Sequence, residues 1–528
     1  MAPPQVNKWL VAVSVTFGTL MGTIDASIVN VAIPHLRAGV GATVEQITWV
    51  STGFIIANVL VMPLTAFLAR MFGQKRVYMI CLGIFIAGSM LCGMARSLEM
   101  LVAMRVIQGF GAGALQPTEQ AILRQTFPPK EQGMAMALFG MAVMIGPALG
   151  PTLGGYIVDH YAWPWIFYIN LPVGLLGLTM VSRFVHEPED ITAANRVMAV
   201  EQRKHMDWAG IALLSVGLGA LQFLLEEGNR DDWFQSHTIQ ACAVISVFSL
   251  VAFVIRELTA KMPVVDLWLF RDKVFLSGTL ISGVMFAILF SVTFLLPLFM
   301  QTLLGFSALE SGLTLMPRTL VMMVVTPFIG RMYNKVSPRV VVGIGVMLFA
   351  VGAYQMSQFT LETSTWDVVA SLIVQGLGFS CLFVPLTTVS LSTIERHKLT
   401  DATGLNSLFR QVGGSIGLAV FATMLTRHAV TAKASIAANI TPTNPIVIAR
   451  MDGLQAFLMS QGYDATSAKT GAMEMLGGMI ARQAMLLSFE KMFLMAGMLF
   501  LGVLPLLFLL KTDRSAAPGK GTVLVHEG

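Results

Sequence analysis

Charge is scarce in this 528-residue chain: Asp, Glu, Lys and Arg make up 12% of it, about half the share usual in a soluble protein. That argues against a soluble enzyme or a disordered scaffold. Cysteine is scarcer still. The four (Cys81, Cys92, Cys242 and Cys381) fall singly inside apolar runs, with no CxxC or CxH pairing, so neither a disulfide framework nor a metal centre is indicated. No GxxxxGK[ST] loop occurs, which leaves no sign of ATP as an energy source, and no HExxH marks a metal-dependent hydrolase. No cofactor is expected. The net charge of +5 does not call for nucleic acid, because a bias of basic residues between loops accounts for it better.

Apolar sequence is what the chain has in abundance: 55% of residues are hydrophobic and the mean hydropathy is +0.73. Runs of about 20 apolar residues recur, the length that crosses a bilayer as a helix. They predict an all-α polytopic membrane protein with fourteen spans. The spans fall at roughly 9–32, 46–69, 77–95, 98–120, 133–157, 164–185, 207–226, 237–256, 274–300, 310–330, 339–359, 366–391, 401–426 and 487–510. The first run is too long for a signal-peptide core and lacks a clear cleavage site, so it reads as an uncleaved span.

An even number of spans puts both termini on one side. With the N-terminus inside, the inner segments hold 22 Lys and Arg, while the short outer loops hold Arg37, Arg96 and Arg230. The positive-inside rule therefore predicts cytoplasmic termini. Two short basic loops, AFLARMFGQKR (Ala66–Arg76) and IGRMYNKVSPR (Ile329–Arg339), each follow the second helix of a six-helix unit. The expected organisation is 6 + 2 + 6: residues 1–185, an inserted pair with its flanks over 186–272, and residues 273–528. Parallel repeats of this kind mark secondary transporters. The last unit includes an outer loop, 427–490, and a cytoplasmic tail, 511–528. In that loop Ile448, Met451, Leu454, Phe457 and Leu458, then Met473, Met475, Leu476 and Met479, recur at helical spacing. They predict two short amphipathic helices outside the membrane, either lying on the bilayer or docking a partner.

Charges inside spans are costly and are candidates for function. Asp25 lies about 24 Å along span 1 from its inner end and Arg105 about 10 Å along span 4 from its outer end, similar depths in a core about 30 Å thick. An ion pair is permitted. Gln108 shares a helix face with Arg105 at i+3. The functional reading is a proton site in which Arg105 keeps Asp25 charged until a conformational change or a cationic substrate alters the balance; the structural one is a static pair that fixes packing. Arg318 and Arg410 are expected at the contact between halves or capping helix carbonyls. Glu119, near the inner end of span 4, is within reach of water, and Glu226 and Glu227 are expected to be solvated at the end of span 7. Span 5 carries GMAVMIGPALGPTLGG (Gly140–Gly155). Gly146, Gly150 and Gly154 share one face and admit close helix approach, while Pro147 and Pro151 remove backbone donors and favour a bend. The 35 Met and 33 Phe supply soft, adaptable apolar surface.

In order along the chain, these motifs resemble the major facilitator superfamily, in particular its fourteen-span drug:proton antiporter branch of EmrB/QacA type. TIDASIVNVAIP (Thr23–Pro34) is similar to the span-1 motif, whose acidic residue matches Asp25. LVAMRVIQGFGAG (Leu101–Gly113) is similar to the span-4 motif, whose arginine, implicated in proton transfer, is Arg105. The span-5 antiporter motif is matched by Gly146, Pro147, Gly150, Pro151, Gly154 and Gly155. WPWIFYINLPVG (Trp163–Gly174), LMPR (Leu315–Arg318), VPLTT (Val384–Thr388) and LFRQVGGSIG (Leu408–Gly417) are typical of the branch. One departure stands out. The loop after span 2 usually begins with glycine and has aspartate fifth; here these are Ala66 and Arg70, which puts the family's charge lock in doubt.

The resemblance implies a major facilitator fold and a proton-driven exporter of hydrophobic or amphipathic compounds, with two halves rocking about a cavity. Spans 1, 4, 9 and 12 are expected to line that cavity and to offer Asp25, Arg105, Gln108, Gln301, Gln375 and Glu119, with span 5 as pivot and seal. It also implies a bacterial inner membrane and, as partners, a separate periplasmic membrane-fusion adaptor and an outer-membrane channel. A stand-alone pump, or an exporter of one metabolite or fatty acid, are the alternatives.

Overall fold

The computed structural model describes residues 7–260, 262–333, 335–441 and 443–505; the tail expected at 511–528, and the last residues of the span expected at 487–510, lie outside them. Fourteen helices in it are long and apolar enough to cross a membrane. In chain order they are α1 (Lys8–Val40), α2 (Val44–Phe72), α3 (Gln74–Gly93), α4 (Leu98–Thr126), α5 (Pro129–His160), α6 (Trp165–Phe184), α7 (Trp208–Glu227), α8 (His237–Thr259), α9 (Lys273–Thr302), α10 (Leu309–Met332), α11 (Pro338–Met356), α12 (Thr365–Ser390), α13 (Arg396–Ala438) and α14 (Ala465–Leu501). Their ends carry the expected local chemistry. Ser97 caps α4 by accepting from Met100 N, Asp272 caps α9, and Ser307 with Glu310 closes a capping box on α10. Between α2 and α3 the chain turns at Gly73, whose φ of +89° suits glycine alone, and the Glu187 carboxylate accepts from Lys75 N beside it.

Helix contacts fall into two matching sets. α1 packs on α5 and α6, α3 on α4 and α6, and α2 on α4. Adding eight to each number gives contacts that are also present: α9 on α13 and α14, α11 on α12 and α14, α10 on α12. Between the sets, α5 meets α10, and its counterpart α13 meets α2. α7 and α8 pack on one another, and α7 lies against α2 and α13. α8 is the most peripheral: Val244, Val247, Phe248, Val251 and Ile255 are exposed at helical spacing, an apolar face suited to lipid.

Close approach depends on glycine. A Cβ on Gly146, Gly150 or Gly154 would collide with Thr23, Ser27 or Ile28, so the glycine row of α5 is where α1 lies directly against it. Gly155 faces open space. On its other side α5 reaches α10, where Gly133 and Gly330 bring backbone against backbone.

The region expected as a 427–490 loop is mostly helix. α13 continues to Ala438 because Arg427, His428, Thr431, Lys433 and Ser435 are polar yet compatible with helix, so the apolar run ends before the helix does. α14 begins at Ala465, capped by Asp464, which accepts from Thr466 N and Ser467 N. Of the two short helices expected, one forms, Pro445–Ser460, with Asn444 as cap and proline at the first position. The other does not: Met473–Met479 belong to α14. The Pro445–Ser460 helix packs on α14, and His428 Nδ1 lies 3.0 Å from Ser488 Oγ, tying α13 to α14.

Candidate functional site

Asp25, wholly buried on α1, is met by three donors. Arg105 Nη1 approaches Oδ2 at 2.5 Å; Gln108 Nε2 and Asn170 Nδ2 each donate to Oδ1 at 2.9 Å. Local sequence explains the convergence. Gly109 and Gly113 on α4 allow α2 to approach until Phe54 O and Asn58 O press on them. That approach carries the Val50 carbonyl to 3.2 Å from Arg105 Nε and the Phe54 ring to 4.1 Å from the guanidinium carbon. Arg105 Nη1 also donates to Gln108 Oε1 at 2.7 Å. Asn170 is positioned by donating to Ser89 Oγ at 3.0 Å, and Ser89 in turn donates to Phe167 O.

The arrangement is lopsided in a useful way. Asp25 has one cationic partner, whereas Arg105 has a carbonyl, an amide and an aromatic face besides the carboxylate. A proton arriving on Asp25 would cancel the ion pair yet leave the guanidinium with hydrogen bonds and a cation–π contact. Removing Arg105 instead would strand a buried carboxylate, a loss of about 3–5 kcal/mol for such pairs.

Arg105 also lines a cavity of about 290 Å³ at the centre of the molecule, with Asp25 behind it. Along α1 the lining runs from Gly18 to Asn30, a distance of about 18 Å. The opposite wall comes from Phe286, Phe290 and Thr293 on α9 and from Ser407, Arg410, Gln411 and Ser415 on α13. α2 contributes Ser51, Phe54 and Asn58; α5 contributes Pro147; α7 contributes Glu226. Among the described residues, Thr19 Oγ1, Asn58 Oδ1 and Arg410 Nη1 are buried without a hydrogen-bonding partner, the pattern of a surface meant to meet something else. A larger cavity of about 690 Å³ between α7, α8, α9 and α13 is lined by apolar side chains, Leu218, Phe253, Phe270 and Phe409 among them, with no charged residue. The polar chemistry is in the central one.

The other expected residues divide. Arg410 crosses between the two sets of helices: its Nη2 donates to Gln120 Oε1 at 3.3 Å and Ser407 Oγ at 3.0 Å, and its guanidinium lies between Phe139 and Phe286. Arg318 is buried with its backbone against Gly376 on α12. Gln301 is exposed at the end of α9, outside the cavity lining, because the cavity does not extend that far along the helix. Gln375 is fully buried, but it faces α11, where its Nε2 lies 3.5 Å from Met356 Sδ. No α12 residue lines the central cavity; α2 and α13 take the places expected for it. Glu119 reaches neither water nor the cavity lining: it is 0% exposed, its Oε1 accepts from Thr16 Oγ1 at 3.1 Å, and its Oε2 has no partner among the described residues. The two glutamates ending α7 are not simply solvated. Glu227 is 2% exposed, accepts from Thr52 Oγ1 and pairs with Arg230 at 2.8 Å; Glu226 is half-buried in the cavity wall.

Arg70 supplies an ion pair of inverted polarity. Its Nη1 lies 2.6 Å from Asp401 Oδ1 on α13, and Nη2 donates to Val264 O at 3.1 Å. Close by, Gln74 Nε2 donates to Thr400 Oγ1, and Arg396 Nη2 donates to Gln125 O at 2.9 Å. These ties, with the Gly133–Gly330 approach, join the two sets of helices at one end. The cavity lies toward the other end.

Comparison with known proteins agrees with this architecture. The family model described as Major Facilitator Superfamily matches residues 15–418. The chain is 35% identical to the Multidrug export protein EmrB of Haemophilus influenzae over 95% of each chain, and 33% identical to the EmrB of Escherichia coli K12 over 97% of each. It is 32% identical to the Fatty acid resistance protein FarB of Neisseria gonorrhoeae, over 96% of this chain and 97% of that one. Among solved structures, the human organic anion transporter MFSD10 superimposes with a TM-score of 0.58 at 16% identity, covering 94% of this chain and all of the other, a likeness of fold. This chain belongs to the major facilitator superfamily.

Proposed function

We propose that this chain is a proton-coupled antiporter that exports hydrophobic or amphipathic compounds, a multidrug efflux permease working by alternating access. The observation that carries the reading is the buried Asp25–Arg105 pair, whose arginine lines a central cavity. Similarity to EmrB-type export proteins supports it. The recurrence of helix contacts at a step of eight supports a 6 + 2 + 6 organisation with α7 and α8 inserted between the halves. Lys and Arg density supports a cytoplasmic tied end, with both termini there and the cavity in the outer half, and the EmrB-type relatives support a bacterial inner membrane.

The cycle then runs as follows. With the cytoplasmic ties closed, a proton from outside is taken up on an Asp25 oxygen, and Arg105 remains charged on Val50 O, Gln108 and Phe54. The neutralised pair no longer holds α1 to α4 by charge, and the halves rearrange. Inside, the proton leaves, the pair re-forms, and an amphiphile enters against the apolar walls. One proton driven by 100 mV supplies about 2.3 kcal/mol, enough for roughly a 40-fold gradient of a neutral solute. Phe54, Phe286 and Phe290 bind by area rather than by fixed hydrogen bonds, which suits broad selectivity.

A helix of 40 residues, as Leu399–Ala438 is, spans about 60 Å, twice the bilayer core. The outer ends of α13 and α14 with the Pro445–Ser460 helix therefore stand clear of the membrane, as a dock for a periplasmic membrane-fusion adaptor and, through it, an outer-membrane channel. The test is accumulation. Cells stripped of their own pumps and expressing the chain should hold severalfold less ethidium, and a protonophore should abolish the difference. Crosslinking through residues 439–464 should capture an adaptor; capture of none would favour the stand-alone pump. Similarity to FarB keeps fatty acid export as the second reading.

A further inference from the structure

We propose that Glu226, Gln222 and Ser415 form a cation-recognition subsite in the central cavity, so that α7 of the inserted pair helps select substrate. Glu226 and Ser415 both line the cavity. Gln222 Nε2 donates to Glu226 Oε1 at 2.8 Å and to Ser415 Oγ at 2.7 Å, and Ser415 Oγ lies 3.4 Å from the same carboxylate oxygen. The cluster joins α7 to α13 and holds the carboxylate in one place.

Two observations point to a ligand. The carboxylate has no basic partner among the described residues: Arg230, the nearest in sequence, is engaged by Glu227 at 2.8 Å, Asp231 at 3.5 Å and Thr48 Oγ1 at 2.9 Å. Arg410 lines the same cavity but sits five positions before Ser415 on α13, about 8 Å along the axis, between its own aromatic faces. Second, both donors to the carboxylate among the described residues meet the same oxygen, Oε1, which leaves the other oxygen for a ligand; Gln222, 1% exposed and outside the cavity lining, positions the group. A carboxylate without a counter-charge in a cavity wall is costly. A positively charged ligand relieves that cost, and Phe54, Phe286 and Phe290, which share the lining, offer apolar area and π faces to its body. The ligand class is a monovalent lipophilic cation. The inference rests on the exporter reading and narrows it.

The test is equilibrium binding to the purified full chain in detergent at low salt, with two probes: tetraphenylphosphonium as the cation and laurate as the anion. Wild type should bind both. Glu226→Gln should bind the cation at least about tenfold more weakly, the usual loss for a charge-assisted contact, and laurate no more weakly than wild type does. Glu226→Asp should stay within about threefold of wild type for both. Unchanged cation binding in Glu226→Gln, or equal loss of both probes, overturns the subsite. Wild type that binds laurate but not tetraphenylphosphonium also overturns it while leaving an exporter of other amphiphiles standing. Binding of neither probe removes the inference and the exporter reading together.

Discussion

Arg105 meets a carbonyl, an amide and an aromatic ring besides Asp25, whereas Asp25 has one cationic partner, and that imbalance orders the effects of single substitutions. Asn170 gives Asp25 one of its three hydrogen bonds, at 2.9 Å. Asn170→Ala removes a contact of about 1 kcal/mol, so the initial rate of proton-coupled exchange should fall severalfold without loss of folded protein. Arg105→Lys should cost more, because an ammonium cannot meet Asp25, Gln108 and Val50 O in the guanidinium's geometry; initial exchange rates should rank wild type, Asn170→Ala, Arg105→Lys. The pair itself was legible, since depth along two spans and i+3 spacing suffice to suggest Asp25, Arg105 and Gln108. Asn170 was not. It is 145 residues from Asp25 and sits in WPWIFYINLPVG as a lone amide at a span end, where polar residues are ordinary. Its isolation between apolar neighbours was the available signal. Glu226 was hidden similarly: a glutamate at a span end looks solvated, and only the packing of α7 against α2 and α13 puts it in a cavity.

Helices meet here through small residues, and substitutions should sort by what a Cβ touches. Gly150→Ala would press within 2.5 Å of Ser27 Cβ, whereas Gly155→Ala meets nothing within 4 Å. The first should lower the thermal midpoint in detergent by several degrees and reduce the yield of monodisperse protein; the second should leave both near wild type. At the start of α7, burial pushes the Asp207 carboxyl up, but the Arg256 guanidinium and the Gly210 amide outweigh it and hold the group below the usual carboxylate range. A carboxyl lowered on folding stabilises above its unfolded value and loses that contribution as pH falls through the folded one. Asp207→Asn should therefore melt below wild type at neutral pH, and the gap should close below about pH 4. Element existence was legible because apolar runs of span length leave little choice. The lengths of α13 and α14 were not, since hydropathy reports where lipid ends, and Arg427–Ala438 is polar helix.

At the scale of the molecule, the two matching sets of helix contacts meet along α5–α10 and α2–α13, tied at one end and holding a cavity toward the other. Arg70–Asp401 is the charged member of that tie. Arg70→Asp and Asp401→Arg should each reduce export sharply, and the double variant should regain much of it, because the pair is restored with its polarity exchanged; export by the double variant at the level of the worse single would count against the tie. Motif order made the superfamily legible. Which faces meet was not legible, since Gly133 and Gly330, or Arg70 and Asp401, come together only when both sets are folded. In the proposed mechanism, proton traffic through Asp25 drives export. Its most direct test uses everted membrane vesicles energised to an acid interior, with amphiphiles added singly and the pH gradient followed for wild type and Asp25→Asn. Compounds should dissipate the gradient in wild type and not in Asp25→Asn, with the variant protein present and folded. Equal dissipation by both would contradict it and move the coupling elsewhere, to Glu119 first.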